Sequence, residues 1–563
     1  MQVYLTVLGI IVVILIIAAI LGKRNELRAE KYFRAKVKKN WGKKPDSDIR
    51  ESRRKAIPKY FEKHKEKTSI DDITWNDLGL DEVYDRINYC KSGAGQEYLY
   101  YRLRTPMQKD EFEGFEKQVD NFTSKQDLRV ETQLIFAKMS NYGKYSLYDY
   151  IGSLDDLKMP SRLPHIIADI LILISIIGCF FSFEVFLMII IVCLLYNAIT
   201  YFVIKGDISP YLYIFGYINR MLSGIDLFKK VKDDVLEEET KEFFRYEKET
   251  DSFKRGSWII LDPARLSNSG DPINMMLDYI CMFTHIDLFK FKSMYKFVKT
   301  HGELLDNIVT ILGRIETEVS VSCYRASLDG KYCLPQFETD NASYNAKDLY
   351  HPCMNNPVVN SISADKGVLI TGSNASGKST FLKTSALAAV LAQTIHTVNA
   401  TYYKAPMYRI YSSMALRDDL ASGDSYYIVE IKSLKRILDA VNDEGNRVFC
   451  LIDEVLRGTN TIERIAASTQ ILKSLDHKNI QCFAATHDIE LTELLKDYYD
   501  NYHFEGEVTD SDVHFSYMIK EGPATNRNAI KLLSIIGYDP MIVNSAQSMA
   551  DEFTKTGIWK EQV

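Results

Sequence analysis

The sequence has no Cys-x-x-Cys pair, although it contains nine cysteines. Their scattered spacing excludes a zinc ribbon and a disulfide framework, and it is typical of a protein in a reducing compartment. A mainly disordered chain is also excluded, because 46% of the residues are hydrophobic and 26% are charged. The 563 residues are too many for one hydrophobic core, so the length predicts three or four domains.

The net charge is distributed unevenly along the chain. Residues 23–67 contain 18 Lys or Arg and 7 Asp or Glu, a local charge of +11; the whole chain carries −6, so the remainder sums to −17. This balance excludes a protein coated with nucleic acid over most of its surface. The segment is interpreted either as a juxtamembrane stretch that faces anionic lipids or as an arm that contacts DNA phosphates. Trp41 and Tyr60 are too few aromatic residues to indicate base stacking.

Two apolar regions predict membrane-spanning helices. Residues 3–21 form an uncharged run that is roughly 28 Å long as a helix, about one hydrocarbon core. Two basic residues follow it, which predicts an uncleaved anchor with a cytoplasmic carboxyl-terminal flank; a cleaved signal peptide is the alternative. Residues 164–204 are long enough for two spans divided near Gly178 and Glu184. A buried helical hairpin of a soluble protein would show the same pattern.

The most informative chemical motif begins at Gly372. A short apolar strand predicted over 367–371 precedes the sequence GSNASGKS, which matches the phosphate-binding pattern G-x-x-x-x-G-K-[ST], and a helix is predicted over 381–391. The glycines let backbone N–H groups close on phosphates, and a helix N-terminus favours anions. Lys378 is expected to reach the outer phosphates and Ser379 to bind Mg²⁺. The predicted ATP-binding residues are Gly372, Ser373, Asn374, Ala375, Ser376, Gly377, Lys378, Ser379 and Thr380.

Two further apolar strands end in polar residues. The strand over 447–453 ends in two carboxylates: Asp453 is predicted to hold Mg²⁺ through water, and Glu454 to polarise the attacking water as general base. The strand over 480–486 is followed by His487, which is expected beside the phosphate site, where it would sense the γ-phosphate. A structural surface histidine is the alternative interpretation.

Residues 418–425, between the P-loop and the acidic strand, are rich in Asp, Ser and Gly and precede a helix predicted over 426–438. An ordinary capped loop has this composition, since Ser425 is a suitable N-cap. The functional alternative is a second anion-binding helix end, which closes on a nucleotide held by another subunit.

Together these motifs resemble those of the MutS family of ABC-type ATPases. They follow the same order, as TGSNASGKST, DDLASGDS with its following VE, LIDEVLRGTNT and ATHDIEL; the second and third are much more specific than a P-loop alone. The roles that the resemblance implies are phosphate and Mg²⁺ binding for Lys378 and Ser379, metal and water for Asp453 and Glu454, a switch histidine in His487, and action across a dimer for Ser422, Gly423 and Ser425.

The resemblance extends more weakly to other parts of the chain. The segment from Gly95 to Pro106 is similar to the first helix of the family's helical core domain, in which an Arg is more usual than Glu97. The helical pattern over 208–334 would complete that core and its lever. Residues 526–553 resemble the family's closing helical segment, which helps to pair subunits, so a homodimer is expected.

Several departures from the family pattern accompany this resemblance. The usual Pro, Met and Gly within the P-loop are Ser373, Ala375 and Ser376 here, which is expected to alter nucleotide affinity without removing the phosphate cradle. Residues 23–67 leave no room before the core for the family's mismatch-reading domain with its Phe-x-Glu wedge. The apolar hairpin lies inside the helical core region, where the mismatch-repair members have no such insertion.

The predicted fold class is therefore an α/β P-loop (ABC-type) ATPase domain plus an all-α domain like the MutS core and lever, with transmembrane helices. The predicted function is a membrane-anchored MutS-like ATPase that uses ATP and Mg²⁺ at a composite dimer site and couples hydrolysis to DNA binding without mismatch reading. The alternative is an ATP-gated membrane or protein-interaction switch that no longer binds DNA; a transporter is a poorer choice, because few polar residues line a pathway.

The expected partners are a second copy of the chain, the DNA backbone and membrane lipids. The expected location is the cell membrane, with three spans and a cytoplasmic ATPase domain. The predicted domains are an anchor at 1–22, a basic juxtamembrane segment at 23–67, the first part of the helical core at 68–163, a transmembrane hairpin at 164–204, the second part of the core with the lever at 205–335, and the ATPase domain with dimerisation helices at 336–563.

Overall fold

The computed structural model describes residues 2–45, 49–140, 143, 145–154, 157, 161, 163–261, 272–338, 343–373, 376–414, 426–441, 447–457, 459–508, 513–524 and 529–559. The chain divides into two units. The first comprises Met1–His64, Asn88–Tyr101 and Glu113–Ser327, and the second comprises Lys65–Ile87, Arg102–Phe112 and Leu328–Val563. Two segments that the sequence assigns to the helical core, 68–87 and 102–112, thus belong to the same unit as the ATPase motifs.

Helices make up the described part of the first unit, as the sequence predicts. Its interior is aromatic and aliphatic: Phe136, Phe215, Phe291 and Leu312 are completely buried, and the rings of Phe215 and Phe291 stack with centroids 4.9 Å apart. The helices up to residue 327, of which α4 and α5 belong to the second unit, are α1 Gln2–Lys39, α2 Glu51–Arg54, α3 Lys59–His64, α4 Asp72–Leu78, α5 Leu80–Ile87, α6 Gly93–Arg104, α7 Glu111–Ser124, α8 Gln126–Met139, α9 Leu147–Ser153, α10 Leu163–Gly178, α11 Phe183–Phe228, α12 Asp234–Arg245, α13 Glu247–Lys254, α14 Trp258–Leu261, α15 Pro272–Thr284, α16 Ile286–Thr300 and α17 Gly302–Ser327.

Two sheets organise the second unit. The smaller has the strand order β1-β5-β2-β3 and the larger β10-β9-β4-β8-β7-β6. In the larger sheet every neighbouring pair is parallel except β10 with β9. The strands are β1 Gln336–Phe337, β2 Tyr344–Leu349, β3 Asn360–Ala364, β4 Gly367–Gly372, β5 Tyr402–Ala405, β6 Arg409–Ser413, β7 Val448–Asp453, β8 Ile480–Thr486, β9 Tyr499–Val508 and β10 Val513–Glu521.

The central strands of the larger sheet are buried on both faces. Every residue of β7 and β8 is buried, which is why the sequence shows them as continuous apolar runs rather than alternating ones. Mixed sheets and flanking helices agree with the α/β part of the predicted fold class. The helices of this part of the chain are α18 Lys378–Ile395, α19 Tyr426–Val441, α20 Thr461–Ser474, α21 Glu490–Leu494, α22 Ala529–Ile536 and α23 Pro540–Thr556.

Helices α10 and α11 form the apolar hairpin that the sequence predicts over 164–204. The turn follows Gly178, where a Cβ would lie 2.5 Å from the ring of Phe186, so only glycine fits the close approach of the two helices. The outward side chains are exposed, including Phe180 at 89% and Phe181 at 85%. This is an unusually large apolar surface to leave in contact with water.

The count of three membrane spans is not borne out by the described residues. Among them, one helical segment, Phe183–Ser209, is both long and apolar enough to cross a membrane, and 17% of its apolar stretch is buried. Helix α10 has 16 residues, fewer than the roughly 20 that a span requires. Helix α1 runs continuously through the predicted anchor at 1–22, but the side chains of 2–16 lie outside the described set.

Arg53 of the basic segment is an internal residue, which corrects the expectation that it faces DNA or lipid. Its side chain is 4% exposed, and Nη2 donates to Glu97 Oε1 at 3.0 Å and to the Gly93 carbonyl at 3.2 Å. Ser146 Oγ donates to the other oxygen of Glu97 at 2.7 Å. The cation that pairs with Glu97 thus comes from helix α2. Glu97 is the position at which the MutS-like helix more often has Arg.

Other cations of the basic segment also have partners within the first unit. Arg129 lies over the ring of Trp41 at 3.3 Å, and Tyr60 is 2% exposed, so Trp41 and Tyr60 serve packing. The segment is therefore built into the helical unit rather than extended from it. Its further ion pairs include Arg34 with Glu131 and Glu30, Lys38 with Asp127, Lys59 with Glu62, and Lys63 with Asp306.

We expect Arg53→Ala to lower the free energy of unfolding by about 3–5 kcal/mol, because it leaves the buried carboxylate of Glu97 without its partner. Arg54→Ala is the matched control: its side chain is exposed, and the expected change is within about 1 kcal/mol. Urea unfolding of the full chain in detergent, followed by tryptophan fluorescence, measures both. Equal shifts for the two variants would contradict the assignment of Arg53 as the internal partner of Glu97.

Candidate functional site

Three neighbouring strands of the larger sheet deliver the predicted site residues to one edge. Thr371 of β4 pairs with Thr486 of β8, and Ala485 of β8 pairs with Asp453 of β7. Because these strands are parallel, the segments that follow them meet at their carboxyl ends, where open α/β sheets bind ligands. Strand β8 lies in the middle, so His487 follows between the P-loop and the two carboxylates.

Two glycines shape the P-loop between β4 and α18. Gly372 has φ +146°, and a Cβ there would lie 2.7 Å from the Phe504 carbonyl oxygen. Gly377 has φ +112° and directly precedes α18. Both positions therefore require the conformational freedom of glycine. The predicted strand, loop and helix are present in this order, and Asn374 and Ala375 lie outside the described residues.

Lys378 is folded back onto the loop that precedes it. Its side chain is 5% exposed, and Nζ donates to the carbonyl oxygens of Gly372 at 2.8 Å and Ser373 at 2.9 Å. Burial lowers the pKa of Lys378 to about 8, against the opposing effect of the nearby carboxylates. Ser376 Oγ is also buried and has no hydrogen-bond partner among the described residues. An anion with several acceptor oxygens would suit both groups.

His487 lies between Lys378 and Glu454. Its Nε2 is 2.9 Å from Glu454 Oε1 and 3.4 Å from Lys378 Nζ, while Arg457 pairs with the other oxygen of Glu454. Burial raises the pKa of Glu454, but the His487 hydrogen bond and the Arg457 charge outweigh it, and the net pKa is lowered. Glu454 is therefore ionised at neutral pH, as a general base must be.

The loop after β7 has a strained backbone that Glu430 holds. Glu454 and Leu456 have φ values of +63° and +59°, a left-handed conformation that is unfavourable for side chains of this kind. Glu430 is 2% exposed, and its Oε1 accepts a hydrogen bond from Leu456 N at 2.6 Å. One sign of this role is visible in the sequence, since Glu430 is a carboxylate one turn into a helix face that is otherwise apolar.

The residue after His487 is anchored separately. Asp488 accepts two hydrogen bonds from the Arg464 guanidinium, at 2.9 and 2.6 Å, and its backbone N–H donates to Thr486 Oγ1 at 3.0 Å. A bidentate arginine pair restrains orientation as well as distance. The position of His487 is thus restrained by the anchored Asp488 that follows it and by its own contact with Glu454.

The predicted Mg²⁺ ligands are oxygen donors that fit the metal. Asp453 is 9% exposed, and its Oδ1 is buried with no hydrogen-bond partner among the described residues. Ser379 is exposed in the first turn of α18. Carboxylate and hydroxyl oxygens suit this hard cation. Elsewhere in the described ranges, no cluster of three or more His, Cys, Asp or Glu side chains is arranged to hold a metal.

Ser422, Gly423 and Ser425, the predicted trans-acting residues, lie outside the described residues. The helix that follows them is present as α19 Tyr426–Val441, three residues longer than predicted. Thr380, the last predicted ATP-binding residue, lies in α18 and faces a cavity.

This cavity beside the P-loop was missed by sequence analysis. It has a volume of about 350 Å³, and Gly377, Phe381, Phe504 and Tyr517 are among its lining residues. Asn360 also lines it, and its Nδ2 donates to the Tyr517 carbonyl at 3.0 Å. An aromatic, mostly apolar cavity of this size next to a phosphate loop is suited to a nucleoside. Its lining residues are up to 168 positions apart in the sequence.

Comparison with known proteins gives a consistent family. Residues 368–554 match the family described as MutS domain V. This similarity, with those of the relatives described next, supports MutS-family membership for the matched part of the chain. The resemblance drawn from the four motifs is confirmed at this level, and the helices with mixed sheets agree with a MutS domain V fold.

The relatives are DNA mismatch repair proteins. MutS of Lactobacillus acidophilus is 29% identical over 299 residues, covering 50% of this chain and 34% of that protein. MutS of Thermotoga maritima is 32% identical over 280 residues, covering 48% and 34%. MutS of Thermus thermophilus is 32% identical over 183 residues, covering 32% and 22%. The chain therefore spans about a third or less of the length of the curated relatives it matches.

The pKa of Lys378 predicts how nucleotide affinity depends on pH. Below about pH 8 the Lys378 ammonium is already charged. Above that pH, Lys378 must take up a proton when it binds phosphate, so the affinity for ATP falls by up to about tenfold per pH unit. A fluorescent ATP analogue titrated between pH 7 and 9.5 measures this. Lys378→Arg is the control, because its guanidinium stays charged and its profile stays flat. Parallel profiles for the two proteins would contradict the prediction.

Proposed function

We propose that this chain is a MutS-family ATPase that binds and hydrolyses ATP with Mg²⁺. The observation that carries the proposal is the chain of contacts from Lys378 through His487 to Glu454, at 3.4 and 2.9 Å. It joins a phosphate-binding loop to an ionised carboxylate across a gap that one histidine fills. A cavity of nucleoside size opens beside the same loop.

The arrangement suits attack of water on the γ-phosphorus of ATP. Glu454 takes a proton from the water, whose oxygen forms the new bond to phosphorus as the bond to the β–γ bridging oxygen breaks and ADP leaves with that electron pair. Lys378 leaves the Gly372 and Ser373 carbonyls for the phosphate oxygens, and His487 donates a hydrogen bond to the γ-phosphate. Mg²⁺, held by Ser379 and Asp453, would neutralise charge on the phosphate oxygens.

The site is proposed to work as part of a homodimer. Ser422, Gly423 and Ser425 precede α19 and would complete the γ-phosphate cage of the other copy. The support for pairing is an exposed apolar surface on the carboxyl-terminal helices, where Met541 is 80% and Ile536 71% exposed. Of the side chains described in α23, none is buried. Such a surface is typical of a subunit interface.

We place the protein at the cell membrane, with the ATPase domain in the cytoplasm, with α11 as a spanning helix, and with α1 and the shorter α10 embedded beside it. The support is the apolar surface of the hairpin, on which Met188 is 70% and Phe202 65% exposed. In a bilayer these side chains meet hydrocarbon instead of water. The long continuous helix α1 would carry the chain from the membrane into the helical unit.

Coupling of ATP hydrolysis to DNA binding is proposed from the similarity to DNA mismatch repair proteins. The contacts would go to the phosphate backbone, through exposed cations of the basic segment such as Arg54 and Lys55. The alternative is an ATP-gated membrane or protein-interaction switch. The observation that favours it is that Arg34, Lys38 and Arg53 are already paired with acids of the same unit.

Glu454→Gln tests the proposed chemistry. The amide cannot accept the proton of the attacking water, so turnover is expected to fall by about 10²–10⁴-fold while ATP still binds. Phosphate release measures turnover, and a fluorescent ATP analogue measures binding. Glu463→Gln, an exposed acid on α20, is the matched control with unchanged turnover. Near-normal hydrolysis by Glu454→Gln would remove Glu454 as the general base.

DNA binding distinguishes the two functions. If DNA is the partner, duplex DNA stimulates the ATPase at low salt, and its affinity falls with salt at a slope near −0.9 per phosphate neutralised. Arg54→Ala with Lys55→Ala should reduce that slope by about 1–2. Glu62→Gln, in the same segment, is the control that leaves the slope unchanged or steeper. Absence of any binding at low salt would favour the membrane or protein-interaction switch.

A further inference from the structure

The end of helix α15 and its turn into α16 lie against the apolar hairpin. We infer that residues 277–286 form a further membrane-associated element, which lies in the lipid interface beside α10 and α11. The partner is the lipid bilayer. The inference rests on the proposed membrane insertion of the hairpin, and it concerns a segment that hydropathy did not single out.

Asn197 fixes the depth of this segment. It is completely buried on α11, inside the candidate span Phe183–Ser209, and its Nδ2 donates to the Phe283 carbonyl at 2.7 Å and to Asp169 Oδ1 at 3.0 Å. The first charged residue after Asn197 is Lys205, eight positions on, which is roughly 12 Å along a helix. The last turn of α15 therefore lies about two helical turns from Lys205 and level with Asp169 of α10, near the edge of the hairpin's apolar zone.

Further contacts hold the turn at the same level. His285, which is completely buried, stacks on His165 of α10 with ring centroids 4.1 Å apart. Its Nε2 is 3.4 Å from Thr200 Oγ1 on α11. Tyr201 donates to Asp287 Oδ2 at 2.8 Å, at the start of α16. Both arms of the hairpin thus contact the turn through named side chains.

Three backbone carbonyls at the end of α15 accept hydrogen bonds from protein donors. The Phe283 carbonyl accepts from Asn197, the Ile280 carbonyl accepts from Thr284 Oγ1 at 2.7 Å, and the Cys281 carbonyl accepts from His285 N at 2.8 Å. A helix end leaves carbonyls that usually bond to water. In hydrocarbon they require protein donors, and a broken helix is tolerated there only with such donors.

Apolar side chains dominate the outward surface of the segment; Asp278 is also partly exposed, and its Oδ1 lies 3.8 Å from Lys205 Nζ. Tyr279 is 58% exposed, and Ile280 and Ile286 are 45% exposed. At the same level of the hairpin, Ile199 and Phe202 are each 65% exposed. The buried polar groups thus face the hairpin, and the outward surface is apolar apart from Asp278 and Thr284. Tyrosine beside aliphatic residues is also typical of the membrane–water interface.

Tryptophan quenching in brominated lipid tests this position. The full-length Ile280→Trp protein is reconstituted into phosphatidylcholine–phosphatidylglycerol vesicles, with or without bromine on the upper acyl chain. The fluorescence it adds over wild type is expected to fall about twofold in the brominated vesicles, as for a group buried at interfacial depth. Ile286→Trp reports the same surface and guards against a local effect of one substitution.

Two control variants distinguish failure of this inference from failure of the proposed membrane insertion of the hairpin. Phe202→Trp lies on the hairpin and should be quenched, whereas Ile462→Trp, at a 79% exposed position of α20, should not. Quenching of Phe202→Trp without quenching of Ile280→Trp and Ile286→Trp would overturn the inference and leave the membrane hairpin intact. Unquenched Phe202→Trp would overturn membrane insertion itself. A blue shift of unquenched Ile280→Trp that grows with protein concentration would assign the surface to a second copy instead.

Discussion

Parallel pairing of β4, β8 and β7 is the constraint on which the candidate site depends. The register sets Thr371 beside Thr486 and Ala485 beside Asp453, so three segments that are distant in sequence leave the sheet side by side. Parallel strands of this kind must be covered on both faces, and the burial of every residue in β7 and β8 reflects that requirement. Strands that are packed in this way can be followed by short loops with a strained backbone, because the surrounding packing holds those loops in place. The left-handed conformations of Glu454 and Leu456 occur just there, where Glu430 supplies a buried acceptor for Leu456 N.

Sequence patterns predicted the parts of the site that depend on local order. The strand predicted over 480–486 has the same bounds in the structure, and that over 367–371 ends one residue later, at Gly372. Continuous apolar runs between glycine-rich or acidic segments leave few other solutions for buried parallel strands. Roles that depend on distant partners were not predictable. Glu430 acts on a backbone group 26 positions away, and the cavity beside the P-loop takes Tyr517 from a strand far along the chain.

Counting charges within one segment was the least reliable guide. A local charge of +11 produces an electropositive surface only if no acids from other parts of the chain pack against the segment. In this protein such acids do pack against it, because Arg34 pairs with Glu131 and Arg53 pairs with Glu97. Tertiary pairing of this type also changes what a substitution does. Removing an exposed lysine weakens attraction to a polyanion, whereas removing Arg53 leaves a buried carboxylate unpaired, and the second effect is a loss of stability rather than of affinity.

The same contrast between local pattern and tertiary partner governs the apolar hairpin. Hydropathy identifies its length, but its few polar residues decide what packs against it. A buried amide without partners is costly, and Asn197 donates to acceptors on α10 and on the last turn of α15. One side chain thereby joins three helices, and under the proposed membrane insertion this contact would order them where hydrophobic attraction could not, since lipid is as apolar as the helices themselves. Polar residues in an apolar helix therefore carry more structural information than the apolar residues around them, because each restricts which neighbours are allowed.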